Sequence, residues 1–257
     1  MKILRYSADD AVRYGILEED GTIRQMTSCP WDSMEESGET THLDNVQVLA
    51  PIGKPRLIGV GLNYLAHAEE GGQTPPDQPM LFMLPSTAIL DPEEAIVYPK
   101  QGQNVHYEGE LTVIIGKEAR RVSEADALDC VLGYTCGNDV SERVIQANEM
   151  ANGCMLIGKG FDTFKPIGPY IATGLDSTNL ELTTRVNGEV KQHTNTDDLI
   201  FTVAQLIAYI SEAITLLPGD VIMTGTPSGV GPVQPGDVVE IEISGVGVLR
   251  NPVVAEG

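Results

Sequence analysis

Basic residues are scarce in this chain. Against 37 Asp and Glu stand only 16 Lys and Arg, for a formal net charge of −21 over 257 residues. Nucleic acid and anionic membrane surfaces both require a basic partner face, so neither is an expected partner. A small anion bound here needs positive charge placed locally against the general field, from a metal and a few Lys or Arg. Cysteine is also sparse. Cys29, Cys130, Cys136 and Cys154 form no C-x-x-C pair, which leaves zinc-site spacing absent. Cys130, Cys136 and Cys154 lie in apolar stretches and are expected to be buried reduced thiols, consistent with a cytoplasmic location. No apolar run reaches the length a bilayer requires. The start, Met1 to Tyr6, passes directly into polar Ser7 to Asp10, so no signal peptide is expected. A Gly-x-Ser-x-Gly elbow is missing, which argues against a serine hydrolase. Glycine-rich Thr224 to Gly231 lacks a P-loop ending, and Gly59-Val60-Gly61 lacks the rest of a dinucleotide fingerprint.

What is present describes an ordinary soluble chain, 42% hydrophobic and 21% charged. Residues 1–50 read as a small β-rich appendage. Val12 to Leu17 and Thr22 to Arg24 flank an Asp-Gly turn, and polar Asp32 to Asn45 reads as a loop or linker. Residues 51–257 read as the main domain, opening on a strand from Arg56 to Val60. Short strands broken by Gly and Pro dominate it, with alternation clear at Val238 to Ile243. Helices are expected from Ser123, as N-cap, through Leu132, from Ser141 to Met150, and from Asp198 to about Glu212. Strands and long helices do not alternate regularly, so a β-rich α+β fold is expected rather than a doubly wound sheet.

Glu108-Gly109-Glu110, just before apolar Leu111 to Ile115, carries the most chemical information. Alternate strand residues share a face, which sets two carboxylates side by side, with backbones roughly 6–7 Å apart. Carboxylates that close repel unless a counter-charge intervenes, and a hard dication such as Mg²⁺ or Mn²⁺ prefers their oxygens. Asp139 ends another strand-like run and supplies a third acid. An edge strand with two solvated glutamates is the ordinary alternative. Asn63 is placed to cap a short helix ended by Gly71-Gly72, on which His67 and Glu70 share a face. A carboxylate beside an imidazole suits a general base acting on water, although a chance surface pair has the same spacing. The Gly- and Pro-rich segment that follows allows that helix to act as a lid. Lys159, between two glycines, either complements an acidic site or lies in an exposed turn. His106 flanks the acid pair and is a candidate for orienting it. His42 and His193 fall in polar segments and read as surface residues.

Together these segments resemble the fumarylacetoacetate hydrolase family. The resemblance runs from about Arg56 to Pro252, through Gly61-Leu62-Asn63-Tyr64 with His67, Tyr107 to Leu111, Asn138 to Ser141, Gly158 to Asp162, and Pro218 to Pro227. It implies a mixed β-roll/β-sandwich with few peripheral helices, usually a homodimer. It also implies Mg²⁺ or Mn²⁺ held by Glu108, Glu110 and Asp139. His67 and Glu70 match the lid dyad that activates water, and Lys159 the lysine near bound substrate. Thr224, Gly225 and Thr226 match a loop at the substrate's carboxylate end, and Arg143 and Gln146 match polar pocket residues. Glu142 departs from the pattern, standing where a small residue is common.

The implied chemistry is that of a small anionic 2-oxo acid. Its enolate charge falls on the metal as the C–C bond of an acylpyruvate-type β-diketone is hydrolysed. Oxaloacetate decarboxylation or tautomerisation and isomerisation of 2-hydroxyhepta-2,4-diene-1,7-dioate use the same site logic. A non-catalytic metal-binding protein would need only the acids, not the His–Glu pair.

Overall fold

Seven consecutive buried residues, Gly109–Ile115, form the strand around which the chain is organised. Because side chains alternate, Leu111, Val113 and Ile115 enter one apolar cluster while Ile114 enters a second. A strand buried on both faces must sit inside a sheet, and this one does. It pairs antiparallel with Val131–Asn138 on one side and Val221–Met223 on the other.

The computed structural model describes residues 1–257. Its largest sheet has twelve strands. From the central strand it runs through Val131–Asn138 and Lys165–Ala172 to Lys2–Ala8, and in the other direction to Leu57–Gly61 and Met80–Leu84. Residues from the start of the chain join it through Lys2–Ala8, whose Lys2 pairs with Ala172. A second sheet of five strands, centred on Glu181–Val186, Val238–Ile243 and Gly247–Ala255, packs against the first. Between the sheets lie Leu111, Val113, Leu182, Ile241 and Leu249, all at most 1% exposed. Each such side chain contributes roughly 1.5–3 kcal/mol on burial. The fold is therefore strand-rich, with several sheets and few helices. No helix is long and apolar enough to cross a membrane.

Close approach of the two sheets explains the glycine in the acidic motif. A Cβ at Gly109 would stand 2.1 Å from Thr184 Oγ1 and 3.2 Å from Gln192 Oε1. The only side chain that fits there is none at all.

Several local expectations need correction. Within the polar stretch read as a loop, Glu36–His42 forms an edge strand on Thr22–Met26. Its first five residues are exposed, so no apolar face advertised it. Ser123 does cap a helix, but the α-helical part is only Glu124–Ala127, and by Val131 the chain has entered a strand. Burial in the sheet overrides the helical pattern there. The last helix starts later than expected, at Val203, under a reciprocal capping box of Thr202 and Gln205. Cys130 and Cys136 are buried, whereas Cys154 is exposed.

Candidate active site

The central hairpin brings the three acids together. Gly109 pairs with Asn138 and Glu110 with Gly137, so Asp139 emerges beside Glu108 where the ladder ends. The Asp139 N–H donates to the Glu108 carbonyl at 2.9 Å, and the Glu108 N–H donates to Asn138 Oδ1 at 3.0 Å. One carboxylate oxygen from each of Glu108, Glu110 and Asp139 lies within 4.8 Å of the other two, and all three residues are buried.

Three buried carboxylates this close are untenable alone, and cations answer two of them. Lys159 sits in the short helix Ile157–Gly160 and is 3% exposed. Its Nζ donates to Glu108 Oε2 at 2.9 Å, Asp139 Oδ2 at 2.5 Å and Ser141 Oγ at 2.9 Å, which places all three ammonium hydrogens. The same ammonium lies 5.4 Å from the centre of the Phe82 ring. Gly158 makes this position possible, since a Cβ there would stand 2.6 Å from the Gln146 backbone nitrogen. Arg143 begins the helix Arg143–Ala151 and places Nη2 at 2.7 Å from Glu108 Oε1.

Lys165 completes the set and escaped the sequence reading. Fully buried at the start of its strand, it brings Nζ within 2.7 Å of Asp139 Oδ1. Its hydrogens are directed to the carbonyls of Val140 and Phe164, at 2.8 and 3.0 Å. Asp139 Oδ1 thus has an ionic neighbour but no hydrogen-bond donor.

Electrostatics divide the acids. Burial alone would raise Glu108, but Lys159 and Arg143 override it and hold the carboxyl down at about 2. Glu110 has no such partner. Burial, then the Asp139 and Glu108 carboxylates, push it well above the usual carboxylate range, against the pull of Lys159 and a hydrogen bond from the Gly225 N–H at 2.9 Å. Burial would lower Lys159, yet Asp139 and Glu108 raise it, so it stays charged. Burial brings Lys165 down to about 8, with Asp139 opposing.

A cavity of about 250 Å³ opens above this floor, lined by Glu108, Glu110, Lys159, Arg143, Gln146 and His67 among others. Thr226 reaches it as well, its hydroxyl donating to the Gly109 carbonyl at 2.9 Å. Thr224 and Gly225 do not line it. Thr224 Oγ1 donates to the Leu111 carbonyl at 2.8 Å, which ties the loop to the central strand. Gln146 accepts from Arg143 Nη1 at 2.9 Å.

His67 stands on the helix Leu65–Glu70. Its Nδ1 is 3.6 Å from Glu70 Oε2 and has no hydrogen-bond partner, while the Glu70 carboxylate accepts from the Gly229 N–H at 3.1 and 3.3 Å. Tyr64, not Asn63, precedes this helix as its N-cap, without a side-chain bond. The Asn63 amide instead donates to the carbonyls of Phe201 and Thr224 and accepts from the Phe201 N–H, anchoring the root of the helix to the Thr224 loop. His106 bonds Asn104 Oδ1 at 3.0 Å and none of the three acids. Glu142 points away from the cavity, where it caps the Arg143 helix by accepting from the Ile145 N–H at 2.6 Å.

The donor set fits a hard dication. It consists of three buried carboxylates, one of which, Glu110, has no counter-cation of its own.

Comparison with known proteins shows the family. The profile described as "Fumarylacetoacetate (FAA) hydrolase C-terminal" matches residues 56–254, and "Rv2993c-like, N-terminal" matches residues 1–51. A crystal structure of 5-carboxymethyl-2-hydroxymuconate delta-isomerase from Mycobacterium smegmatis is 41% identical. It covers 100% of both chains, with a TM-score of 0.92. Fumarylpyruvate hydrolase from Pseudomonas aeruginosa, in complex with Mn²⁺ and pyruvate, is 36% identical over 82% of this chain and 92% of its own, with a TM-score of 0.75. Oxaloacetate tautomerase fahd2 of Xenopus laevis is 42% identical over 82% of this chain and 69% of its own. With its central hairpin, its three acids and matches of this extent, the chain belongs to the fumarylacetoacetate hydrolase family.

Proposed function

We propose that this protein is a divalent-metal-dependent enzyme of small anionic 2-oxo acids, and that it hydrolyses the C–C bond of an acylpyruvate-type β-diketone. One observation carries the reading: Glu108 and Glu110 of the buried acid trio, with Lys159 among it, form the floor of a cavity that His67 also lines. Glu108, Glu110 and Asp139 would hold Mg²⁺ or Mn²⁺. A dication there supplies Lewis-acid stabilisation of the negative charge that develops on the 2-oxo acid's oxygens.

The chain's own residues do the rest. Lys159 and Arg143 provide the local positive charge that an anion needs in a protein of net charge −21. Gln146 holds Arg143 in place, and Thr226, its hydroxyl bonded to the Gly109 carbonyl, forms part of the cavity wall. His67 takes a proton from water, which attacks the carbonyl remote from the carboxylate. The C–C bond to the pyruvate unit then breaks, and its carbon takes up a proton. Glu70 orients the imidazole once the 3.6 Å gap closes to hydrogen-bond distance.

A second reading, tautomerase or isomerase, draws on that same gap. Glu70 is engaged with Gly229, so His67 alone would shuttle a proton without activating water. Assays with acetylpyruvate, oxaloacetate and a hydroxyhepta-dienedioate separate the two, each with Mg²⁺, with Mn²⁺ and with chelator. Metal-dependent cleavage of acetylpyruvate is the expected result. Turnover that survives complete chelation, or no turnover of any of the three, would sink the reading.

A further inference from the structure

The cavity's Glu, Lys and Arg side chains gather at its floor, and His67, Gln73 and Thr226 line it as well. Its two permanently cationic lining residues, Arg143 and Lys159, both reach that floor and both pair with Glu108. The helix Arg143–Ala151 runs up one wall and presents Arg143, Gln146, Ala147 and Met150 to the cavity, the spacing of a single helical face. Met150 lies seven positions beyond Arg143, a distance of about 10 Å along the helix axis. Gln146 marks the change of character between them. Its carbonyl oxygen accepts from Arg143, while its Nε2 faces Met155 Sδ at 3.4 Å. Beyond it the wall carries Met80, Met150 and Met155, joined by Leu62, while Phe82 stands beside Lys159.

From this gradient we infer that the end of the substrate remote from its 2-oxo acid group is uncharged and apolar. The inference rests on the 2-oxo acid reading above and narrows it to monocarboxylates. A second carboxylate at the far end would meet thioethers and no unpaired Lys or Arg among the lining residues, so it would give up hydration without gaining a charge partner. An alkyl or aryl tail would bury apolar surface instead. Three methionines can shape themselves around tails of differing form.

Binding to the Mn²⁺-loaded protein tests this without relying on turnover. The probes are oxamate, N-butyloxamate and N-(2-carboxyethyl)oxamate, which share one head group, the last two differing in the charge of tails of similar length. Calorimetry should show N-butyloxamate binding at least about tenfold tighter than its carboxyethyl counterpart. Met150→Lys places a cation beside the tail at an exposed position and should narrow or reverse that preference. Equal or tighter binding of the carboxyethyl compound by the unsubstituted protein, with oxamate itself bound, would overturn the apolar-tail assignment alone. If oxamate fails to bind at all, the 2-oxo acid reading falls and the tail assignment falls with it.

Discussion

Lys159 Nζ stands 2.5 Å from Asp139 Oδ2, inside the cluster of acids it neutralises. Asp139 therefore meets ammonium groups on both oxygens, Lys159 on one and Lys165 on the other. Glu108 is likewise paired twice, with Lys159 and Arg143, and Glu110 is left as the acid without a cation of its own.

Removing that ammonium should be costly. Lys159→Met leaves Asp139 with Lys165 alone and Glu108 with Arg143 alone, and breaking a buried ion pair from one side costs about 3–5 kcal/mol. In chelator, urea unfolding should register a loss of that order. Mn²⁺ should restore a larger share of stability to Lys159→Met than it adds to the unsubstituted protein, because the dication replaces the missing charge. Equal unfolding midpoints in chelator would show that the ammonium is not what balances the acids.

Glu110 gives the metal response a pH dependence. Burial and its two acidic neighbours raise its pKa above the ordinary 4.5, so the folded state keeps a proton that the unfolded chain releases. Stability of the metal-free protein therefore falls as pH rises above the ordinary carboxylate range, until Glu110 ionises in the folded state. Glu108 acts in the opposite sense and at lower pH. Held at about 2, it contributes stability above its ordinary value that is lost as pH falls towards 2. The gain in melting temperature on adding Mn²⁺ should thus grow from pH 5 to pH 8. Glu110→Gln should flatten that growth, and an unchanged slope in this variant would rule out Glu110 as its source.

How much of this was readable beforehand depended on the range of the interaction. Glu108 and Glu110 share a face through strand periodicity, a local rule, and a short apolar run beside them marks the strand as buried. Asp139 lies 29 positions beyond Glu110, yet one hairpin carries it there, so its segment also announced itself. Lys165 did not. A lysine opening a strand ahead of Pro166 reads as solvated, and only the junction of three sheet strands buries it against Asp139. The cavity wall was equally silent. Met80, Met150 and Met155 come from a strand, a helix and a loop, and methionine carries no pattern that distinguishes a pocket from a core. Glu142 was conspicuous in the sequence for being acidic, and the structure gives the reason: helix capping.

His67 and Glu70 should separate in kinetics. If His67 accepts the proton from water, His67→Ala should lower kcat for acylpyruvate by roughly 10²–10⁴. Glu70→Gln keeps a hydrogen-bond acceptor for the Gly229 N–H but loses the charge facing His67. Its loss in kcat should be smaller and should be accompanied by an altered pH profile. Steady-state rates across pH check both. Unimpaired acylpyruvate cleavage by His67→Ala would remove the imidazole from the water-activating step.

Gly109 offers a test of whether sheet packing holds the acids in register. Alanine there would set its Cβ 2.1 Å from Thr184 Oγ1, forcing apart the two sheets or the strand that carries Glu108 and Glu110. Overpacking of this kind costs about 1–3 kcal/mol. Thr184 Oγ1 is buried without a hydrogen-bond partner, so Thr184→Ala removes the obstruction while breaking no bond. Of the remaining contacts, Gln192 Oε1 at 3.2 Å must give by a few tenths of an ångström, and Thr184 Cβ at 3.4 Å is ordinary packing. Gly109→Ala alone should therefore lower both stability and Mn²⁺ affinity, and Gly109→Ala with Thr184→Ala should recover most of each. The coupling is read as a double-mutant cycle, with urea unfolding for stability and calorimetry for the ion. Additive losses would mean that the glycine is required for something other than the approach of Thr184, and that the spacing of the two glutamates does not depend on the neighbouring sheet.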